Sequence, residues 1–299
     1  MSLPDFVPPM LAVLGEPFDS DDHLFEVKWD GMRAMAYVDR DELRMFNRQQ
    51  VPLVEKYPEF AFLAKLPRGI VLDGEMVVTR DGKPDFHMVM ARQHARSAAR
   101  IASLSRSTPA TFVVFDLLYE NFEPLIKVPL AERRARLEKI VAQSPESRLV
   151  LSEGILGQGV ALFEQTSAQE LEGIVAKKLT STYSPGRRSE SWVKIKRRVS
   201  VHCAILGYLP DGDDFKSLVI AIEEGGELRC VGLVGSGIDT AVRAKLNRLL
   251  KERARATPVI PCEPDGAWVE PGLFCVVSYN ERTPQGNLRA PVFERLIVP

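Results

Sequence analysis

One short stretch of the sequence groups the residue types that a covalent enzyme needs. Residues 26–33 run Glu-Val-Lys-Trp-Asp-Gly-Met-Arg, so a lysine, two acids, a glycine and an arginine lie close together. Apolar and charged residues alternate over residues 25–30, so a strand would present its charged residues, Lys28 among them, on one face. Gly31 would then let the backbone turn tightly or approach a ligand.

Lys28 is the candidate nucleophile of this stretch. A lysine that is held beside other charges and partly removed from water can have a depressed pKa, which frees its amine to attack at neutral pH. An ordinary edge strand with a lysine in water gives the same short pattern, and such patterns recur by chance. The assignment therefore depends on the rest of the chain.

Two further stretches place acids among apolar strand residues. Residues 70–78 predict two strand pieces that are separated by an acidic turn, Asp73-Gly74-Glu75. Glu75 is then either a turn residue in water or a carboxylate kept there to bind a metal or a ribose hydroxyl. Residues 111–119 predict a central strand. Its Phe115 is either a core residue or a surface on which a base stacks.

The densest basic segment runs from Lys177 to Arg198, with eight basic residues and one acid. Lys194 and Lys196 share one face of a predicted strand within it, and such paired ammonium groups suit a polyphosphate. A solvated basic surface is the alternative. Glu172 lies just ahead of this segment, in the sequence Glu-Gly-Ile-Val-Ala-Lys.

Composition limits the class of protein. With 299 residues, 45% of them hydrophobic and 26% charged, the chain is expected to be soluble and globular, with room for two domains. Its formal net charge of -1 means that a nucleic-acid partner would be held by a local basic patch. We find no leader and no apolar run of the ~18 residues that cross a membrane, and expect a cytoplasmic protein.

The cysteines predict neither a zinc site nor a disulfide framework. They are widely spaced, with no Cys-x-x-Cys pair, so we expect reduced core residues. The four are Cys203, Cys230, Cys262 and Cys275.

The remaining segments of the first two hundred residues are expected to position these groups. Residues 1–23 predict an extended arm, and residues 35–46 predict a hairpin. The hairpin places Arg48 just beyond a strand end, where site residues are often found. Residues 85–107 predict a helix followed by a mobile polar loop, and Pro129 predicts the start of a helix that serves as scaffold.

After Arg198 the pattern changes to short strands separated by turns. We expect five or so strands and one helix near residues 239–253, which suit a small β-barrel of the oligonucleotide-binding (OB) kind. The predicted strands are Val201–Leu209, Leu218–Ile222, Cys230–Val234 and Leu273–Val277, among others.

The order and spacing of five motifs resemble those of the covalent nucleotidyl transferases, and in particular the ATP-dependent DNA ligases. Phrases around them, such as residues 184–189, resemble the ligase part of bacterial end-joining ligase D. The motifs are Lys28-Trp29-Asp30-Gly31-Met32-Arg33, Asp73-Gly74-Glu75, Phe115-Asp116-Leu117-Leu118, Glu172-Gly173-Ile174-Val175 and Trp192-Val193-Lys194-Ile195-Lys196.

This resemblance implies a role for each site residue. Lys28 would attack the α-phosphate of ATP, form a lysyl-AMP and release pyrophosphate. Glu75 and Glu172 would hold a divalent metal, Mg²⁺ or alternatively Mn²⁺. The nucleotide contacts would fall to Glu26 and Phe115 at the adenine, to Arg33, Arg48, Glu75 and Glu172 around the ribose, phosphates and metal, and to Lys194 and Lys196 at the triphosphate.

The C-terminal segment 288–296 resembles the last motif of the family, in which Arg289 would orient the leaving pyrophosphate. The match is imperfect. Ala290 replaces the usual aromatic residue or histidine, and Ile297 stands where a second basic residue is common.

The fold that the resemblance implies is α+β. A nucleotidyl transferase domain of ATP-grasp-like antiparallel sheets with helices would occupy residues 1–198, and an OB-fold β-barrel residues 199–299. We expect a minimal ligase that lacks separate DNA-encircling, polymerase and nuclease parts.

The implied function is ATP-dependent sealing of 3′-OH/5′-phosphate breaks in duplex DNA through lysyl-AMP and a DNA-adenylate. The expected partners are nicked or broken duplex DNA and end-joining proteins, and the expected state is a monomer. RNA ligase and mRNA capping guanylyltransferase share the lysine motif and are the enzymatic alternatives. A nucleic-acid-binding relative that lost the chemistry is the non-enzymatic one.

Overall fold

The computed structural model describes residues 2–40, 42–263, 265–283 and 285–297. The chain divides into two compact units, Met1–Arg197 and Arg198–Pro299. Both units combine strands and helices.

The first unit contains thirteen strands, four α-helices and a 3₁₀ helix, counted over its described residues. The helices are the 3₁₀ helix Pro58–Lys65, α1 Phe86–Gln93, α2 Ala98–Ser107, α3 Leu130–Ala142 and α4 Gly159–Ala168. The strands are β1 Leu11–Leu14, β2 His23–Val27, β3 Met32–Val38, β4 Leu43–Asn47, β5 Ile70–Val77, β6 Thr79–Arg80, β7 Lys83–Pro84, β8 Thr111–Glu120, β9 Glu123–Pro124, β10 Leu149–Leu151, β11 Gly154–Leu156, β12 Gly173–Lys178 and β13 Arg188–Lys196.

Two sheets organise this unit. The first sheet has the order β1-β13-β12-β2-β11, and the second sheet has the order β10-β8-β5-β3-β4 with β9 on β8. A buried cluster joins them, because Trp192 of the first sheet packs edge-on against Phe115 of the second, with ring centroids 6.1 Å apart. The face of each sheet that meets the other therefore carries the motif residues.

The structure confirms the hairpin and corrects the arm. Strands β3 and β4 pair antiparallel, from Ala34 opposite Asn47 to Val38 opposite Leu43. The segment predicted as an extended arm, residues 1–23, contains β1, which pairs parallel with β13. The arm therefore contributes an edge strand to the first sheet.

The predicted acidic turn within residues 70–78 is wrong. Residues 70–77 form one continuous strand, β5. Asp73 is fully buried in it, because Arg33 donates two hydrogen bonds to its carboxylate and the Tyr183 hydroxyl donates a third of 2.6 Å. A carboxylate satisfied in this way does not have to reach water, so the strand continues through it.

The predicted loop after the helix in residues 85–107 is also wrong, since this segment forms both α1 and α2. Asp85 caps α1 by accepting from the Met88 amide, and Ser97 caps α2 by accepting from the Arg100 amide. Each cap satisfies a backbone N–H that a helix leaves unpaired. α2 has few apolar residues, and Leu104 is the one that it buries.

The described part of the second unit contains a seven-stranded sheet, a two-stranded sheet and the helix α5 Thr240–Glu252, which Asp239 caps. Its described strands are β14 Val199–Asp211, β15 Asp214–Glu224, β16 Glu227–Val234, β17 Ala254–Arg255, β18 Ala267–Val269, β19 Phe274–Tyr279, β20 Glu281–Arg282, β21 Leu288–Arg289 and β22 Val292–Ile297. Strand β14 pairs with β15, β18 and β19, and β19 pairs with β22. The predicted strands and helix are confirmed.

The four cysteines are free, as expected. Cys203 and Cys275 lie in the core of the second unit, whereas Cys230 and Cys262 are only partly buried. Within the described residues, no helix is long and apolar enough to span a membrane.

Candidate active site

A cleft of about 220 Å³ opens in the first unit where the two sheets face each other. Seven of the ten predicted site residues line it, together with Lys177, Trp192 and Trp29. The seven are Glu26, Lys28, Arg33, Arg48, Glu75, Phe115 and Lys194.

Lys28 follows the end of β2 and is held at the cleft by its backbone and its side chain. Its amide donates to the Gly173 carbonyl at 2.9 Å, and its Nζ donates to Oε2 of Glu172 at 2.5 Å. Gly31 is required just beyond, because a Cβ there would collide with the Met76 carbonyl of β5. Gly173 is required as well, since its φ is +136° and a Cβ there would collide with the Ile195 carbonyl.

Glu172 joins the two lysine motifs. Its Oε2 contacts Lys28, and its Oε1 lies 2.8 Å from Nζ of Lys196. Burial opposes ionisation of this carboxyl, but the two ammonium groups outweigh burial and hold its pKa below the ordinary value. Glu172 and Lys196 thus belong to the same charged group as Lys28, although neither lines the cleft.

Lys194 adds a further cation on the cleft side of β13. Lys194 and Lys196 alternate with Val193 and the buried Ile195, so the expected sharing of one strand face is confirmed. Partial burial, followed by repulsion from Arg188 and the neighbouring lysines, lowers the pKa of Lys194. An anionic ligand would relieve this repulsion, which is the arrangement expected of a phosphate site.

Glu75 lies on β5 opposite Arg33 of β3. Burial raises the pKa of its carboxyl to about 8; Arg33 and Lys28 oppose the shift, and Glu172 adds to it. Glu75 is therefore close enough to Lys28 and Glu172 to interact with them electrostatically. Without a ligand, this buried carboxyl therefore holds a proton at neutral pH.

The raised pKa of Glu75 predicts how the stability of the fold depends on pH. Between the ordinary pKa near 4.5 and the folded value of about 8, the folded protein binds one more proton than the unfolded chain. The free energy of unfolding should therefore fall as pH rises through this window. Glu75→Gln removes the titration, so its Tm should exceed that of the wild type by several degrees at pH 8 and by less near pH 5.

Thermal unfolding at both pH values, without divalent metal, is the measurement. Glu55→Gln is the matched control, since Glu55 lies outside the cleft, and its Tm difference should not change with pH. A Glu75→Gln difference that is also constant between pH 5 and 8 would contradict the assigned titration.

Arg33 and Arg48 border the cleft from the second sheet. Arg33 is fixed by Asp73, with Nε–Oδ1 and Nη2–Oδ2 distances of 2.5 and 2.6 Å. Arg48 follows β4 in a turn held by the Asn47 side chain, whose oxygen accepts from the amides of Gln49 and Val51 at 2.9 Å each. The turn leaves Arg48 exposed and on the cleft, as expected for a residue beyond a strand end.

Phe115 is both a core residue and a cleft residue. It belongs to the buried cluster between the sheets and is 8% exposed. Two cations lie over its ring, with Lys177 Nζ 4.0 Å and Arg33 Cζ 4.6 Å from the centroid. The ring on which a base is expected to stack is therefore already in contact with two cations.

Glu26 is buried in a network that sequence reasoning missed. Its Oε1 accepts from Arg134 at 2.9 Å, and its Oε2 accepts from Lys177 at 3.0 Å. Burial lowers the pKa of Lys177, which Glu26 and Asp116 partly restore. The buried charges behind the cleft wall are therefore paired with charges of opposite sign.

Helix α3 is the expected scaffold, and its buried arginines support the cleft wall. Besides Arg134, this helix supplies Arg133, which makes a buried bidentate ion pair with Asp116 at 2.7 and 2.8 Å. The signal was present in the sequence, since Leu130, Arg133, Arg134 and Leu137 share one helix face. Arginines on an otherwise apolar face indicate buried acidic partners.

Arg289 belongs to the second unit, where it ends β21 opposite Glu281 of β20. It is half-buried and its carbonyl accepts from the Asn280 amide at 3.2 Å. Ala290 follows with a φ of +51°, a left-handed conformation that is uncommon for alanine. The pyrophosphate role of Arg289 stays a prediction.

Together the two units have the architecture of a covalent nucleotidyl transferase domain followed by an OB-fold domain, which confirms the expected fold class. Residues 9–196 match the family model of the ATP dependent DNA ligase domain, and residues 211–296 match that of the ATP dependent DNA ligase C terminal region. The chain belongs to the ATP-dependent DNA ligases.

Individual relatives support this family assignment. The chain is 29% identical over 291 residues to the SPbeta prophage-derived DNA ligase-like protein LigB of Bacillus subtilis, covering 97% of this chain and 98% of that one. It is 32% identical to the multifunctional non-homologous end joining protein LigD of Mycolicibacterium smegmatis, over 98% of this chain but 38% of the relative. The chain thus spans little more than a third of that relative's length.

A solved structure described as mycobacterial DNA ligase D complexed with ATP and MES is similar over 98% of this chain and 95% of that one. The TM-score is 0.58 and the sequence identity is 29%. The similarity extends through both units of the chain.

Proposed function

We propose that Lys28 is the nucleophile of this ATP-dependent DNA ligase and that it forms a lysyl-AMP. The observation that carries the proposal is the position of its Nζ, at a cleft of about 220 Å³ and in contact with Glu172, which also binds Lys196. A nucleophile, its orienting partner and additional cations thereby meet in one place. That combination is what transfer of a nucleotidyl group to an amine requires.

The residues divide the work of the first step. Nζ of Lys28 donates to Oε2 of Glu172, which is therefore placed to accept the proton that Nζ loses as it attacks the α-phosphorus of ATP. The P–N bond forms as the bond to pyrophosphate breaks, and negative charge grows on the departing oxygens. Lys194 and Lys196 are placed to stabilise that charge, which is the main catalytic contribution in phosphoryl transfer.

Glu75 and Glu172 are proposed to hold a divalent metal. Mg²⁺ commonly binds through one or two carboxylates and the phosphates of its substrate. The structure fits this ligand set, because the two carboxyls interact, and a cation would offset the burial that keeps Glu75 protonated. No cluster of three or more His, Cys, Asp or Glu ligands occurs within the described residues, so phosphate oxygens would complete the shell. A bound metal would supply Lewis-acid charge neutralisation, and either Mg²⁺ or Mn²⁺ would serve.

The nucleotide contacts follow from the cleft. Arg33 and Arg48 would bind the ribose and phosphate region, and Glu26 would border the adenine within its network with Lys177. Phe115 would stack on the base. The adenylate would then pass to a 5′-phosphate in duplex DNA, and a 3′-OH would attack it to seal the break.

A role in end joining of broken duplexes, with end-joining proteins as partners, is the finer proposal. It is supported by the ligase D relatives, of which this chain matches about a third. We also propose that the protein acts as a monomer and is associated with the bacterial nucleoid.

One experiment tests the proposal against its alternatives. The protein is incubated with labelled ATP or GTP and then with nicked DNA or nicked RNA. We expect a covalent adduct from ATP and its transfer to nicked DNA. Labelling by GTP would favour a capping enzyme, transfer to RNA alone would favour an RNA ligase, and no adduct from either nucleotide would refute the nucleophile.

Arg289 is tested by separating the reaction steps. If it orients pyrophosphate, Arg289→Ala should slow lysyl-AMP formation about a hundredfold but largely spare sealing of pre-adenylated nicked DNA, because pyrophosphate leaves only in the first step. Arg295→Ala, an exposed arginine of β22, is the control. Equal losses in both steps would instead assign Arg289 a structural role.

A further inference from the structure

The segment between β5 and β8 forms a helical lobe, which we define as the 3₁₀ helix Pro58–Lys65 with α1 and α2. A buried ion pair between Arg92 of α1 and Glu59 fixes its parts together. Arg92 also donates to the Thr108 carbonyl at 3.0 Å, and Glu59 accepts from the Ala110 amide at 3.0 Å. These contacts hold α2 in place, with its exposed residues facing solvent.

The outer face of α2 is basic and has no acid near it in sequence. Residues 86–108 contain no Asp or Glu. Arg96, Arg100 and Arg106 are exposed, as are Ser103 and Ser107. Leu104, one turn after Arg100, is the buried residue of α2.

These arginines differ from those arginines of the unit that are held in ion pairs. Arg80 pairs with Asp85, and Arg136 pairs with Glu120. Within the described residues, Arg100 and Arg106 are in no ion pair, and the nearest acids in sequence, Asp85 and Asp116, pair with other arginines. Unpaired cations on a rigid helix are ready to bind an anion without first breaking an ion pair.

The lobe lies at the same end of the second sheet as the catalytic cleft. Strand β5 ends at Val77, which pairs with Thr111 at the start of β8, and α1 and α2 connect these two strand ends. Glu75 lies two residues before that end, and Arg33 pairs with it. A duplex that reaches the cleft across this end of the sheet would pass the lobe.

From this placement we infer that the exposed face of α2 binds the phosphate backbone of the duplex beside the break. The inference rests on the proposed function, whose substrate it positions. Arg100 and Arg106 lie about 9 Å apart along the helix axis. Duplex DNA carries one charge per ~1.7 Å of its axis, so this span faces several phosphates. Ser103 and Ser107 add hydroxyl donors between and beside the arginines.

The test compares Arg100→Ala/Arg106→Ala with a control of equal charge loss, Arg136→Ala/Lys139→Ala on α3. Binding of nicked duplex is measured by fluorescence anisotropy over a series of salt concentrations. The α2 variant should bind about tenfold or more weakly at ~0.1 M salt, with a salt slope smaller by about 2, because each phosphate contact releases counterions. The α3 control should bind like the wild type.

Two further variants and readouts separate charge from structure. Arg100→Lys/Arg106→Lys keeps the charge and should retain most of the binding. Lysyl-AMP formation needs no DNA, so it should be unchanged in every α2 variant. A loss in the lysine variant as large as in the alanine variant would overturn the role of charge.

Shortened substrates locate the contact. Nicked duplexes with one arm truncated, on either side in turn, should reduce the difference between wild type and α2 variant for one arm only. Equal binding of the α2 and α3 variants would overturn the inference while an intact adduct with ATP leaves the proposed function standing. Absence of the adduct would instead refute the proposed nucleophile.

Discussion

Lys28→Ala should abolish transfer of label from ATP to the protein, on the order of a thousandfold or more, while the fold is retained. The side chain lies at the cleft and is 22% exposed, so alanine leaves no core cavity behind. Lys28→Arg should fail as well, because a guanidinium stays protonated at any working pH. Labelling is read by gel autoradiography, and thermal unfolding reports the fold.

A second lysine of the cleft, Lys177, is the alternative nucleophile that this prediction has to exclude. Burial lowers the pKa of Lys177, so acidity alone would favour Lys177 as nucleophile. Its geometry does not, since its Nζ is bonded to Glu26 at 3.0 Å, lies over two aromatic rings and belongs to a side chain that is 3% exposed. We therefore expect Lys177 to support the wall and Lys28 to react.

Peptide mapping of the adduct decides between the two lysines. The adduct should be found on the peptide that contains Lys28, and the exposed Lys178→Ala should label like the wild type. Adduct on the Lys177 peptide, or unchanged labelling of Lys28→Ala, would exclude Lys28 as the nucleophile.

Much of the site could be predicted because short-range patterns carry it. Alternation put Lys194 and Lys196 on one strand face, and the turn after the hairpin brought Arg48 to the cleft. These features depend on the backbone period and on residues within a few positions. The motif order then linked such local features into one site.

The pairing of buried charges could not be predicted in the same way. Glu26 binds Arg134, 108 positions away, and Lys177, 151 positions away. Periodicity indicates that a residue is buried but does not identify its partner. The same limitation explains the error at Asp73, where an acid in a strand suggests a turn until Arg33, 40 positions earlier, is known to pair with it.

Glu172→Ala should reduce overall sealing about a hundredfold or more, since one carboxylate orients the nucleophile and is also proposed to hold the metal. In its absence Lys28, Lys194 and Lys196 face one another without the anion that now bridges two of them, so Nζ of Lys28 loses its fixed position. Glu172→Gln keeps the shape but not the charge and should be nearly as defective. Glu170→Ala is the matched control, because Glu170 also pairs with a lysine, Lys83 at 2.5 Å, but on the surface. Sealing rates on nicked DNA at saturating ATP and Mg²⁺ are the measurement, and a Glu172→Ala rate equal to that of Glu170→Ala would remove Glu172 from the chemistry.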